Sequence, residues 1–129
     1  MNKKLLIVGT ILGILGIILG AFAAHGLDKI IDREALKSFE TGVRYQMYHA
    51  FLFLILGTTL WVSKKSKTII YYLVIIGLLL FSGSIYGLAT NTLSDFDFKM
   101  IAMVTPLGGL LLIMAWIIML IDIIKGKVD

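Results

Sequence analysis

The stretch Leu5–Leu27, LLIVGTILGILGIILGAFAAHGL, decides the fold. It contains no Asp, Glu, Lys or Arg. The hydrocarbon core of a bilayer is about 30 Å thick and takes roughly 20 apolar residues in helical form, so the segment is read as a membrane span. Lys3 and Lys4 in front of it, with Ala21-Phe22-Ala23 near its end, also imitate a cleavable secretory signal. The apolar run is too long for that reading, and the segment is expected to stay as the first helix. Three more apolar segments follow, at about 45–62, 68–89 and 100–121. Their apolar residues run continuously and lack the period-two alternation of a membrane barrel.

Composition agrees with this segmentation. Of the 129 residues, 59% are hydrophobic and 16% charged, and the mean hydropathy is +0.98. An average soluble domain is roughly 45–50% apolar and about 25% charged. A small soluble fold would leave much of this apolar surface wet, and disorder needs the opposite composition. The chain has no cysteine, which removes disulfides, zinc ribbons, iron–sulfur clusters and thiol nucleophiles.

The expected fold is an all-α membrane protein, a single integral domain over 1–129. It is a four-transmembrane-helix bundle with an amphipathic interfacial helix between spans 1 and 2. That helix covers about 31–44. Ile31, Ala35, Leu36, Phe39 and Val43 fall on one face, and Arg33, Lys37, Glu40 and Arg44 on the other. The pattern suits a helix lying in the interface plane, and equally a solvated helix packed on the bundle. Thr41-Gly42 is the expected bend into the second span.

Orientation follows from the basic residues. With four spans, one side holds Lys3, Lys4, Lys64, Lys65, Lys67, Lys125 and Lys127 against Asp122 and Asp129. The other holds Lys29, Arg33, Lys37, Arg44 and Lys99 against Asp28, Asp32, Glu34, Glu40, Asp95 and Asp97. Both termini are therefore expected to be cytoplasmic. The net charge of +4 is a topology signal, with no patch for nucleic acid.

Gly9, Gly13, Gly16 and Gly20 recur on one stripe of the first helix. Lipid supplies little drive for helix association, so such a stripe is read as a close-packing face, within the bundle or between copies in a homo-oligomer. Polar groups inside spans are costly and mark candidate sites. His25 ends the first span; Tyr45 and His49 open the second; Ser82, Ser84 and Tyr86 lie late in the third, with Asn91 after them. Thr105, Pro106, Gly108 and Gly109 lie in the first turns of the fourth. Antiparallel spans would gather these stretches in the outer half of the membrane, above a nearly pure aliphatic inner half. Pro106 has no amide to donate and would free the carbonyl of Ala102. The serines and Thr105 equally suit plain interhelical hydrogen bonds. His25 and His49, near Glu40 and Tyr45 in sequence, suit a metal, proton-responsive or anion site as well as simple packing. Their spacing matches no metal motif, so no metal or cofactor is expected. No catalytic spacing appears, so the chain is not expected to be an enzyme.

At these residues the sequence resembles a known family, the small bacterial membrane proteins of domain of unknown function 423, themselves similar to the vertebrate transmembrane protein 256. The matching blocks are Gly20-Ala21-Phe22-Ala23-Ala24-His25-Gly26-Leu27, Thr41-Gly42-Val43-Arg44-Tyr45 with His49-Ala50, Phe81-Ser82-Gly83-Ser84-Ile85-Tyr86, and Thr105-Pro106-Leu107-Gly108-Gly109 with Trp116. Position 23 is Ala where relatives often carry Gly. The resemblance covers essentially the whole chain. It implies a four-span bacterial plasma-membrane protein without established catalysis, associated with membrane integrity and with stress or virulence phenotypes in Gram-positive bacteria. The expected function is non-enzymatic support of membrane integrity and envelope homeostasis, with membrane lipids as partners. The alternative is a small oligomeric transporter or channel component with a polar site in the outer half.

Overall fold

A computed structural model describes residues 2–93 and 102–126 of the chain. Among the described residues all regular structure is helical. Helix α1 is Lys3–His25, closed by a 3₁₀ turn at Leu27–Lys29. Helix α2 is Arg33–Thr58. Helix α3, Lys64–Leu78, continues through a π-helical turn at Leu79–Gly83 into α4, Ser84–Ala89. A 3₁₀ turn, Asn91–Leu93, precedes α5, Val104–Lys125. Residues 100–101 of the expected fourth span, Lys99, Asp95 and Asp97 lie outside the described residues, as do Lys127 and Asp129.

Sequence sets the helix starts. Asn2, Asp32 and Ser63 each accept an amide hydrogen of the first turn, at 3.2, 2.7 and 3.2 Å from Leu5, Ala35 and Ser66. Such caps satisfy donors that the helix leaves unpaired. Three rods are long and apolar enough to cross a membrane: Lys3–Lys29, Lys64–Ala89 and Val104–Lys125. Their outer faces are bare hydrocarbon, with Ile14, Ile17, Ile18, Leu79, Ile113 and Ile117 all exposed. That surface belongs in lipid.

The order of packing is α1 against α2, α2 against the α3–α4 rod, and α5 against α3 and the π turn. The most polar rod is thus the central one. Helix α2 carries Arg33, Glu34, Lys37, Glu40 and Arg44 in its first half, yet buries Phe39, Gly42, Gln46, His49, Ala50 and Phe53 between its neighbours.

The expected interfacial helix at 31–44 is not a separate element. Thr41-Gly42 does not bend, and α2 runs through it unbroken. Gly42 lies against Tyr86 and Ile85, where a Cβ would stand 2.7 Å from the Tyr86 ring. Its carbonyl also accepts the Ser82 hydroxyl at 2.8 Å. Gly42 is thereby used for close approach inside a helix. At 1.5 Å per residue α2 is about 39 Å long, so its charged first turns reach beyond a hydrocarbon core of about 30 Å.

Pro106 also differs from expectation. Helix α5 begins at Val104, so the proline occupies the first turn, where an amide has no intrahelical partner anyway. Ala102 precedes the helix, and its carbonyl is not freed by a break.

Candidate functional site

Gln46 is the hub of a polar relay across three rods. Its Nε2 donates to the Leu12 carbonyl of α1 at 2.9 Å, and its Oε1 accepts the Tyr86 hydroxyl of α4 at 2.7 Å. The Tyr86 ring leans on Phe39 with centroids 4.8 Å apart. The π turn presents Ser82 to the Gly42 carbonyl. Two residues on, Ser84 donates to the Phe81 carbonyl at 2.9 Å and pairs with the Thr105 hydroxyl of α5. A π turn inserts one extra residue into a helix and re-aims the side chains around it. Here it turns Ser82 toward α2 and Ser84 toward α5.

His49 is buried on the opposite flank of α2. Trp116 Nε1 donates to His49 Nε2 at 3.1 Å, and His49 Nδ1 lies 2.6 Å from the Tyr45 carbonyl. An indole nitrogen is a donor only, so Nε2 is the acceptor and Nδ1 carries the hydrogen. The imidazole is held as one neutral tautomer with both nitrogens engaged. The rings meet edge to face at 6.1 Å. Beside this bridge a groove of about 690 Å³ opens between α2 and α5, with Tyr45, His49, Phe81 and Trp116 above Ile117 and Leu120. Its walls are almost wholly hydrocarbon.

The expected site residues divide into three groups. Ser82, Ser84, Tyr86 and Thr105 come together in the relay. Tyr45 and His49 line the groove. His25 ends α1 and is exposed, and Asn91 stands in the 3₁₀ turn beyond α4.

The two histidines do not meet. Gln46 is level with Leu12, so His49 lies more than a dozen residues below His25 along α1, about 20 Å. The polar layer is therefore not confined to one end of the rods, and reaches their middle at His49 and Trp116. The cause is the early start of α2 at Arg33, which carries Tyr45 and His49 three turns down the rod. Among the described residues no group of three His, Asp or Glu side chains is placed to hold a metal ion.

The packing glycines also divide. A Cβ on Gly9 would stand 3.0 Å from the Ala50 carbonyl, one on Gly16 would meet Met47, and one on Gly20 would find Val43 at 3.6 Å. Gly13 faces nothing within 4 Å and takes no part in the seam. Gly108 presses its backbone on Phe81 and Gly77, and a Cβ on Gly109 would lie 3.6 Å from the Phe81 ring.

Sequence reasoning did not single out Gln46, Gly57 or Gly77, and it gave Gly42 a bend in place of a contact. A glutamine in an apolar helix was the available signal for the first, because an unpaired amide in lipid is costly.

Comparison with known proteins agrees with the resemblance. The family model described as "Protein of unknown function (DUF423)" matches residues 19–109. The chain is 35% identical over 127 residues to the UPF0382 membrane protein of Haemophilus influenzae, covering 98% of each chain. It is 38% identical over 128 residues to the UPF0382 membrane protein YwdK of Bacillus subtilis, covering 95% of this chain and 98% of that one. It is 33% identical over 129 residues to the UPF0382 inner membrane protein YgdD of Escherichia coli, covering 98% and 93%. No solved structure matches. With a family match over residues 19–109, which hold Gln46, Tyr86, His49 and Gly108, and membrane proteins as its relatives over nearly the whole chain, the chain belongs to the DUF423 family of membrane proteins.

Proposed function

We propose that this protein is a four-span, non-enzymatic protein of the bacterial plasma membrane, with both termini cytoplasmic, that supports membrane integrity and envelope homeostasis. One observation carries the reading. The buried and half-buried polar side chains gathered by the fold are used up on one another and on backbone carbonyls. Gln46, Tyr86, Ser82, Ser84, Thr105 and His49 all have protein partners. Among the described residues, Thr59 Oγ1, at the far end of α2, is the buried side-chain polar atom left without one. A catalytic or transport site needs polar groups aimed at a substrate, whereas these are aimed at neighbouring helices. In this reading α2 is the second span, its polar residues shielded by α1 and the α3–α4 rod. The lysine-rich end supports the orientation.

The test is deletion of the gene in a bacterium that carries it, followed by measurement of dye permeability, membrane fluidity and detergent sensitivity. The expected result is a leakier, more detergent-sensitive envelope restored by the wild-type chain. Unchanged values in all three would overturn the reading. Proton or ion flux through proteoliposomes of the purified protein would favour a transport role instead. Cysteine labelling at positions 3 and 125 checks the orientation, and reagent reaching either from outside intact cells would reverse it.

A further inference from the structure

The lysine-rich end of the molecule holds a second cleft between the start of α3 and the end of α5, away from the relay and on the opposite face of α5 from the groove. Its volume is about 250 Å³. Ser63, Lys65, Asp122 and Lys125 form its rim, and Ile69, Ile118 and Ile121 its lower wall. The vertical order is that of a phospholipid. Lys65 stands about 6 Å above Ile69 on α3, and Lys125 about 10 Å above Ile118 on α5. Cations thus sit at headgroup depth over branched aliphatic chains at acyl depth.

The charges support an anion. Lys67 donates to the Thr59 carbonyl, and Lys4 lies over the Tyr71 ring at 4.3 Å. Those two ammonium groups are engaged elsewhere, while Lys65 and Lys125 are exposed at the cleft itself. Asp122 is the opposing charge. Its two oxygens are taken by the Ser63 amide at 2.7 Å and the Ser63 hydroxyl at 3.2 Å. The carboxylate therefore clamps the start of α3; Lys125 is near enough to feel its charge, and Lys65 shares the rim. A free phosphate would gain nothing from three isoleucines, and the cleft is too small for a partner helix. Exposed Ile121 and Ile124 continue its apolar wall along α5.

We propose that this cleft seats the head and upper chains of an anionic phospholipid, its phosphate between Lys65 and Lys125. Basic pockets between membrane helices recognise such heads by charge, each lysine near the surface contributing comparably. The inference goes beyond the integrity reading and stands without it, because its test reads lipid binding and no envelope phenotype.

The experiment is native mass spectrometry of the full chain in detergent, titrated with phosphatidylglycerol or phosphatidylcholine. The expected result is one retained phosphatidylglycerol, with phosphatidylcholine lost. Lys65→Gln with Lys125→Gln should weaken retention roughly thirtyfold, the weight of two interfacial lysines. Lys65→Arg with Lys125→Arg should restore it, which separates lost charge from lost folding. Lys29→Gln with Lys37→Gln, at the other end, should leave it unchanged. Equal retention of the two lipids, undiminished retention by the double glutamine variant, or displacement of the lipid by inorganic phosphate would each overturn the proposal.

Discussion

The seams α1–α2 and α3–α5 both use glycine, but they place it against different things. Along α1–α2 the glycines in contact each meet a side chain, and Gly9 and Gly57 a carbonyl besides. Gly9 meets the Phe53 Cβ as well as the Ala50 carbonyl, Gly16 meets the Met47 thioether, and Gly57 of α2 receives Leu6. At the α3–α5 crossing Gly108 meets backbone, while Gly77 opposite it also receives the Leu112 side chain. A Cβ on Gly108 would stand 2.7 Å from the Gly77 carbonyl oxygen and closer still to the Phe81 amide. In lipid, association rests on dispersion and polar contacts, because the tails are as apolar as leucine. A side chain can swing aside from a new methyl group; a helix backbone can yield only by moving the whole rod.

The largest effect is therefore expected at Gly108. Gly108→Ala should force α5 off the π turn, breaking the Ser84–Thr105 pair with it, and cost about 3 kcal/mol. Thermal unfolding in detergent reads this as a large fall in midpoint. A wild-type midpoint would show that the crossing is looser than its geometry. Next comes the relay that fastens the first seam to α4. Gln46→Leu removes two hydrogen bonds and strands the Tyr86 hydroxyl, at a cost of about 1–2 kcal/mol. Tyr86→Phe should cost less, and a double-mutant cycle should return most of the difference as coupling between the pair. Additive losses would mean that the two groups do not share a bond.

His49 belongs to neither seam, and it separates packing from binding. Trp116→Phe leaves Nε2 without its donor and should lower stability by about 1 kcal/mol. If His49→Ala lowers stability by as much as Gly108→Ala, His49 is a packing residue first. If it leaves stability nearly intact, the imidazole is available for another use.

How much of this was legible in the sequence can be argued from particular residues. The apolar rods were, because roughly 20 residues without formal charge admit few readings. Ser82, Ser84, Tyr86 and Thr105 were legible as polar groups that needed partners, but the partners were not. Gln46 is separated from Tyr86 by 40 positions, and no spacing rule spans that distance. The break at Thr41-Gly42 misread a glycine used for contact as a glycine used for bending. Local sequence cannot tell the two apart, because the reason for Gly42 is the ring of Tyr86 on another helix. That one misplacement set His49 in the first turns of a span, whereas it lies past the middle of α2.

Within the α1–α2 seam the comparison sharpens to two glycines. At 100° per residue, Gly13 lies 40° round the helix from Gly9, and Gly16 lies 20° the other way. Leu5 and Ala23, both buried, fall on the side of Gly16. The contact line thus passes through Gly9 and Gly16 and leaves Gly13 at its edge. Gly16→Ala should cost no more than about 1 kcal/mol, because the obstacle is the end of a flexible methionine. Gly13→Ala should be neutral or raise stability by about 0.5–1 kcal/mol, since alanine stiffens the unfolded chain and meets nothing in the folded one. The measurement is the difference between the two variants in the same detergent. A destabilisation at position 13 equal to that at 16 would place a second surface against Gly13, and the protein concentration at which it vanished would identify that surface as another copy of the chain.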